Sequence, residues 1–248
     1  MTELSCNDFL NGKVRVWQPV NGYRAGLDPV LLAASVQAKA GQSALELGCG
    51  VGVASLCLAW RVPGVAVTGL ELQPEYADLA RRNAVENGAD FTVHTGDLRA
   101  LPEAVRQRQF DHVLANPPYF LRDAGTGAAD PGRDLALGGD TPLATWVEVA
   151  AKRCAPRGTV TFIQRVERVP ELLSAMYTRL GSIELLPLIP REGRPPQLVL
   201  IRGRKNGRAP FRMLPGLLVH PGDSHRDGGE DYTPELRAVQ RDGAALPF

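Results

Sequence analysis

The stretch Glu46-Leu47-Gly48-Cys49-Gly50-Val51-Gly52 decides how this chain is read. Ser43 to Leu47 form an apolar run bounded by turn residues, which reads as a buried strand. Residues 52–61 then carry a helical apolar pattern. Glycines between a strand and its helix let the backbone turn tightly and come close to a ligand. A dinucleotide fingerprint would place a third glycine at position 53, where the chain has Val53. The spacing is instead GxGxG preceded by an acid.

Outward from that turn the pattern alternates. Strands are predicted at 65–70, 91–95, 110–115 and 158–164, and helices at 74–87, 99–108, 142–154 and 167–180. Two final strands, 182–188 and 196–203, have no long helix between them, so one should run antiparallel. This is an α/β chain with a doubly wound, seven-stranded, mostly parallel sheet. Upstream, 1–24 reads as a small β lead-in with turn signals at Asn11-Gly12 and Asn21-Gly22. Asp28 is expected to cap a helix that begins at Pro29, continues to Ala38 and is closed by Gly41. Downstream, 220–232 reads as a polar, mobile loop, and Thr233-Pro234 as the start of a short helix. The expected organisation is one domain over 1–248. It comprises an extension (1–40), a core (41–205) and a terminal strand, loop and helix (206–248).

Bulk composition narrows the classes. With 44% hydrophobic and 22% charged residues and a formal charge of +1, the chain is an ordinary globular protein and no polycation. Any nucleic-acid binding must therefore come from a local patch. Cys6, Cys49, Cys57 and Cys154 form no CxxC pair, which speaks against a zinc ribbon or disulfide framework and fits a reducing cytoplasm. No metal is expected, because the four histidines show no ligand spacing; His112 reads as a packed strand residue. Trp17, Trp60 and Trp146 read as core or interface residues. Met1 to Leu10 have no apolar signal region, and no run of about 18 apolar residues predicts a membrane span. Nothing in the sequence selects between monomer and homodimer.

Three successive strand ends carry acids: Glu46, then Glu71 (21 residues after Gly50), then Asp97. Leu72 and Leu98 follow the last two. A phosphate-rich ligand would want basic groups and free amides at such tips. Carboxylates favour a ligand rich in hydroxyls and amines with a cationic centre, and S-adenosylmethionine has that character. Gly48, Gly50 and Gly52 would let the backbone approach it. Glu71 would take the ribose hydroxyls, and Asp97 the adenine amine.

The fourth strand ends in Asn116-Pro117-Pro118-Tyr119. The Asn116 side-chain oxygen and the Pro117 carbonyl can accept the two N–H groups of an exocyclic amine, and Tyr119 offers a face for stacking. The prolines hold φ near −65° and restrict the residues before them, so the acceptors are set in advance. Hydrogen bonds from both N–H groups would turn the nitrogen lone pair out of the ring and toward a methyl donor. Asn116 is an acceptor, since an amide has no useful pKa for a base.

ELGCGVG, LELQPEYADLARRN, HTGDL and NPPY, in this order and spacing, resemble a class I S-adenosylmethionine-dependent methyltransferase of the amino-methylating group. With RAGLDPVLLAA upstream and YTPELRAVQRDGAALPF at the end, nearly the whole chain is similar to the bacterial tRNA1(Val) adenosine N6-methyltransferase family. The resemblance implies a Rossmann-like class I methyltransferase fold with a tRNA partner, acting on the adenosine just 3′ of the anticodon. It also sets Asp28 beside the methionine end of the cofactor and Asn116 at the reacting amine.

Two segments could contact RNA. Residues 120–141 form a Gly-rich stretch with Arg122 and Arg133, read as a substrate lid. Residues 191–212 hold seven basic residues, among them Arg202, Arg204, Lys205 and Arg208, against the single acid Glu192. Rival readings use the same clamp. A protein glutamine N5-methyltransferase carries a helical substrate domain before the Gly-rich turn, where this chain has 42 residues. A DNA adenine methyltransferase usually needs an added recognition domain, and about 45 residues follow the last core strand here. A non-catalytic RNA-binding protein on this fold would have no need of an intact set of strand tips.

Overall fold

The computed structural model describes residues 3–119, 141–223, 231–246 and 248. A nine-stranded sheet forms its centre. The strands are β3 (Ser43–Leu47), β4 (Ala66–Glu71), β5 (Phe91–Thr95), β6 (Phe110–Ala115), β7 (Cys154–Arg165), β8 (Gly181–Arg191), β9 (Leu198–Arg204), β10 (Arg212–Met213) and β11 (Leu217–His220). They lie in the order β10-β8-β9-β7-β6-β3-β4-β5, with β11 also pairing along β8. The seven expected strands are β3 to β9; β10 and β11 add a short edge. β9 is antiparallel to both β7 and β8, as the missing crossover helix required.

Helices α1 (Asp28–Ser35), α2 (Val53–Arg61) and α3 (Pro74–Glu86) cover one face of the sheet. The other face is covered by α4 (Glu103–Arg106), α5 (Leu143–Arg153) and α6 (Val169–Tyr177). Strand alternation sorts the side chains between the two layers. On β3, Ala44 faces the α1–α3 core, while Leu45 and Leu47 face the α4–α6 core. Glu46 therefore points to the same side as α2. The C-terminal helix α7 (Pro234–Asp242) starts as expected, with the Thr233 hydroxyl accepting the Leu236 N–H at 3.4 Å.

The lead-in is a hairpin of β1 (Leu4–Phe9) and β2 (Val14–Pro19). Leu10, Asn11 and Gly12 turn it, all with positive φ. The second signal, Asn21-Gly22, forms no hairpin; it is a bend on the way to α1. The outer edge of β2 is closed by a helix. Asn83 of α3 takes the Trp17 N–H at 2.8 Å and donates to the Trp17 carbonyl, and Asn87, one turn later, does the same for Arg15. Two side-chain amides thus satisfy a strand edge that would otherwise be unpaired.

The start of α1 differs from the sequence reading. Leu27 occupies the cap position, no side chain caps the helix, and the helix stops at Ser35. Asp28 does not cap because its carboxylate is engaged elsewhere, by Tyr119. The loop expected at 120–141 lies outside the described residues except for Thr141, and Arg122 and Arg133 lie outside them too. His112 is packed as expected, its ring nitrogens 2.8 Å from Thr159 Oγ1 and 3.0 Å from Gln42 Oε1.

Candidate active site

From β3 the chain winds through β4 to β5, and from β6 it winds the opposite way through β7. Ligands bind at such a switch point, beyond the carboxyl ends of the strands. A cleft of about 410 Å³ lies there, bordered by the ends of β3, β4 and β6 and by the segment leading into α1. That volume is within the range of small-molecule sites.

The glycine turn divides its labour. Gly48 has φ +68°, and a Cβ there would lie 2.7 Å from Trp146 Cη2, so the indole packs directly on the turn. Gly50 has φ +54° and nothing within 4 Å of where its Cβ would be, so its backbone faces the open cleft. Gly52 is not part of the lining. It precedes α2 with φ +92°, and a Cβ would meet Phe91 at 2.7 Å, so its role is packing.

Two carboxylates back the turn. Glu46, 3% exposed, accepts the Ser55 N–H at 3.0 Å and the Ser55 hydroxyl at 2.5 Å. Burial pushes its pKa up to about 8, against the pull of those two bonds. Glu71, 6% exposed, accepts the Gly50 N–H at 2.8 Å and the Gln73 N–H at 2.9 Å. Its pKa is also raised by burial. Two bonds leave lone pairs free on each carboxylate for a ligand. Leu72 stands on the rim, 49% exposed. Asp97 and Leu98 are placed differently. Asp97 is held by Arg99 through an ion pair at 2.8 Å, and it is Arg99 that borders the cleft. Leu98 is packed in the α4–α6 core.

Asn116, Pro117, Pro118 and Tyr119 form the opposite wall. Asn116 Oδ1 is buried and has no hydrogen-bond partner among the described residues. An acceptor left in that state costs about 1–3 kcal/mol unless a donor arrives. The Pro117 carbonyl accepts one bond, at 3.3 Å, from the amide of fully buried Gln164. The Tyr119 hydroxyl donates to Asp28, which ties this wall to α1. Burial, then the Asp28 charge, raises the Tyr119 pKa, and burial raises that of Asp28.

The basic residues of 191–212 do not gather at the cleft. In β9, Leu198 lies opposite Arg165 at the carboxyl end of β7, and Arg204 lies opposite Thr159 near its amino end. Arg204, Lys205 and Arg208 thus sit toward the far end of the sheet, while Arg202 is level with Thr161 and Leu114, near the carboxyl end of β6, contrary to the reading of this segment as one patch. Several of the seven are already paired. Arg202 bonds Glu184 at 2.5 Å, Arg212 joins the same carboxylate, Arg191 pairs with Asp231, and Lys205 Nζ donates to the Ala151 carbonyl at 2.8 Å. The sequence showed only Glu192 because Glu184 and Asp231 come from other elements. Trp146, Gln164 and Arg99 were not read as site residues. Trp146 could have been suspected from Gly48, but its placement depends on α5 packing.

The fold and cleft define a class I methyltransferase. Protein Atu636 from Agrobacterium tumefaciens, described as a predicted O-methyltransferase, superposes with a TM-score of 0.70 at 26% identity, covering 88% of this chain and 98% of that one. The Thermus thermophilus 16S rRNA N2 G1207 methyltransferase, solved with AdoMet and guanosine, shares the fold with a TM-score of 0.55 at 19% identity, over 82% of this chain and 50% of that one. Residues 26–129 match the methyltransferase small domain. The tRNA1(Val) (adenine(37)-N6)-methyltransferase of Porphyromonas gingivalis is 30% identical over 226 residues, 86% of this chain and 85% of its own length. The chain belongs to the tRNA1(Val) (adenine(37)-N6)-methyltransferase family, and its cofactor is S-adenosylmethionine.

Proposed function

We propose that this protein methylates the exocyclic N6 of an adenosine in tRNA, next to the anticodon, and does so in the cytoplasm. The observation that carries the reading is the buried Asn116 Oδ1 at the carboxyl end of β6, which has no hydrogen-bond partner among the described residues. The cleft residues suit the donor. Glu71 offers a carboxylate to its hydroxyl groups, Glu46 does the same for its cationic part once that charge draws off the Glu46 proton, Gly48 and Gly50 bring the backbone close, and Asp28 adds a third carboxylate. S-adenosylmethionine supplies an activated methyl group, so the protein's task is chiefly orientation.

Asn116 Oδ1 accepts one N–H of the extruded adenine amine, and the free lone pair of the Pro117 carbonyl accepts the other. Gln164 on the first lone pair keeps that carbonyl aimed. The amine lone pair is thereby turned out of the ring. Tyr119 stacks on the base, worth about 1–3 kcal/mol, and its bond to Asp28 holds it against swinging. No side chain here is needed as a base; the proton leaves to solvent once the nitrogen carries the methyl.

Asn116→Ala tests the assignment. Turnover should fall at least about 100-fold, roughly 2.7 kcal/mol of transition-state stabilisation, while calorimetry still shows cofactor binding. Near-normal turnover would remove Asn116 from the mechanism.

A further inference from the structure

The loops at the amino end of the sheet meet in a way that sequence distance conceals. The Arg157 N–H bonds the Lys205 carbonyl at 3.2 Å, and the Lys205 N–H bonds the Gly158 carbonyl at 2.9 Å. Arg153 reaches the third loop, donating to the carbonyls of Arg106 and, at 3.1 Å, Arg108. Three loops from β6, β7 and β9 are thus fastened into one ridge. It carries Arg106 and Arg108 from the first, Arg153 and Arg157 from the second, and Arg204, Lys205 and Arg208 from the third.

Arg106, Arg108, Arg157, Arg204 and Arg208 are exposed, while Arg153 and Lys205 serve mainly to fasten the loops. The acids beside them are Asp111, whose carboxylate accepts the Ser43 N–H at 2.8 Å, and Glu103, which accepts from the Gln107 amide at 2.7 Å. Seven cations against these two acids leave the ridge a net +5 in a chain whose total is +1, so the rest carries −4. A charge so segregated creates a local field that mixed surface charge does not.

We infer that this ridge is a second RNA-binding surface, which holds phosphates of the tRNA body while the target nucleotide occupies the cleft. β6 spans six residues, which at about 3.3 Å each sets the ridge roughly 20 Å from Asn116. A lone nucleotide in the cleft cannot reach it; a folded RNA lying along the sheet edge can. Exposed arginines suit sequence-independent phosphate contacts, which position a substrate without specifying it. The inference rests on tRNA being the substrate.

The test uses the whole chain with Arg157→Gln, Arg204→Gln and Arg208→Gln combined; these side chains are exposed and make no hydrogen bond or ion pair among the described residues. Affinity for unmodified tRNA is measured against salt concentration and compared with that for the isolated anticodon stem-loop. For full-length tRNA, the slope of log affinity against log salt should become shallower by about two to three. The KM for tRNA should rise on the order of tenfold. The stem-loop should show a change in slope below about one. An unchanged slope with full-length tRNA overturns the inference, as does an equal change with the stem-loop, which would put the contacts at the cleft. Loss of binding to anionic vesicles with tRNA affinity intact would assign the ridge to membranes instead. Binding is read without turnover, so wild-type protein that binds tRNA but methylates none would strike at the proposed function and leave the ridge to be judged on its slope.

Discussion

At the carboxyl ends of β3 and β6 the cleft is lined by carboxylates, amides and aromatic rings, and Glu46, Glu71 and Asn116 Oδ1 are all buried. At the opposite end of the sheet, three loops of β6, β7 and β9 present cations, five of them exposed. The same sheet builds both, but burial makes the first precise and solvent makes the second tolerant. A buried acceptor has fixed geometry and a high cost when unpaired. An exposed arginine is screened by salt and can be traded for another. Substitutions in the cleft should therefore act through geometry and be large, and those on the ridge through charge and be modest.

The largest effect after that of Asn116 is expected at the glycine turn. Gly48→Ala would drive a methyl into the Trp146 ring at a backbone angle that disfavours side chains. Cofactor affinity should fall about 100-fold or more, equivalent to at least about 2.7 kcal/mol by calorimetry. Gly50→Ala has the same backbone handicap but meets no protein atom, so it should cost the fold only about 1 kcal/mol, while its methyl projects into the cleft and weakens cofactor binding as well. An equal loss of thermal stability at both positions would mean that Trp146 does not hold the turn.

Next comes the bond between the walls. Asp28→Ala frees Tyr119, and the KM for tRNA should rise about tenfold with kcat less affected. Asp28→Asn, which can still accept the hydroxyl, should restore most of it. If Asn fails like Ala, the charge of Asp28 matters more than its bond to Tyr119.

A smaller, pH-dependent effect belongs to Glu46. Its folded pKa, about 8, lies above the ordinary 4.5, so the folded protein holds a proton that the unfolded chain has lost between those values. That stability is fully present below about pH 4.5 and is lost as pH rises through about 8. Glu46→Gln removes this contribution, so the Tm of the variant relative to that of the unaltered protein should rise from pH 5.5 to pH 8. Asp28 and Glu71, also raised, act in the same direction as Glu46, whereas His94 and His112, lowered by burial, act in the opposite one. A Tm difference that stays constant over this interval would show that Glu46 is ionised when buried.

The contrast also explains what could be read in advance. GxGxG after Glu46, the acid at Glu71 and the turn at Asn116 are local in sequence, and a parallel sheet delivers strand ends to one side. Thr233 and Pro234 start α7 by rules that act within one turn. Asp28 and Tyr119, 91 residues apart, meet only in three dimensions, so the local signal at Asp28-Pro29 suggests a helix cap and gives no sign of this bond. The segment 191–212 misled for a similar reason. β9 runs antiparallel, so the chain crosses the sheet between Arg194 and Arg204, and one run of basic residues is divided between opposite ends. The ridge was invisible because its first two loops lie far from 191–212 in sequence.

In the proposed reaction the clamp at Asn116 presents an adenine amine of tRNA to the methyl donor. Incubating the protein with total unmodified tRNA and labelled S-adenosylmethionine, followed by nucleoside mass spectrometry, tests this most directly. Label is expected in N6-methyladenosine from a single tRNA, and none with Asn116→Ala. Label in methylated glutamine of a protein, or in another nucleoside, would contradict it.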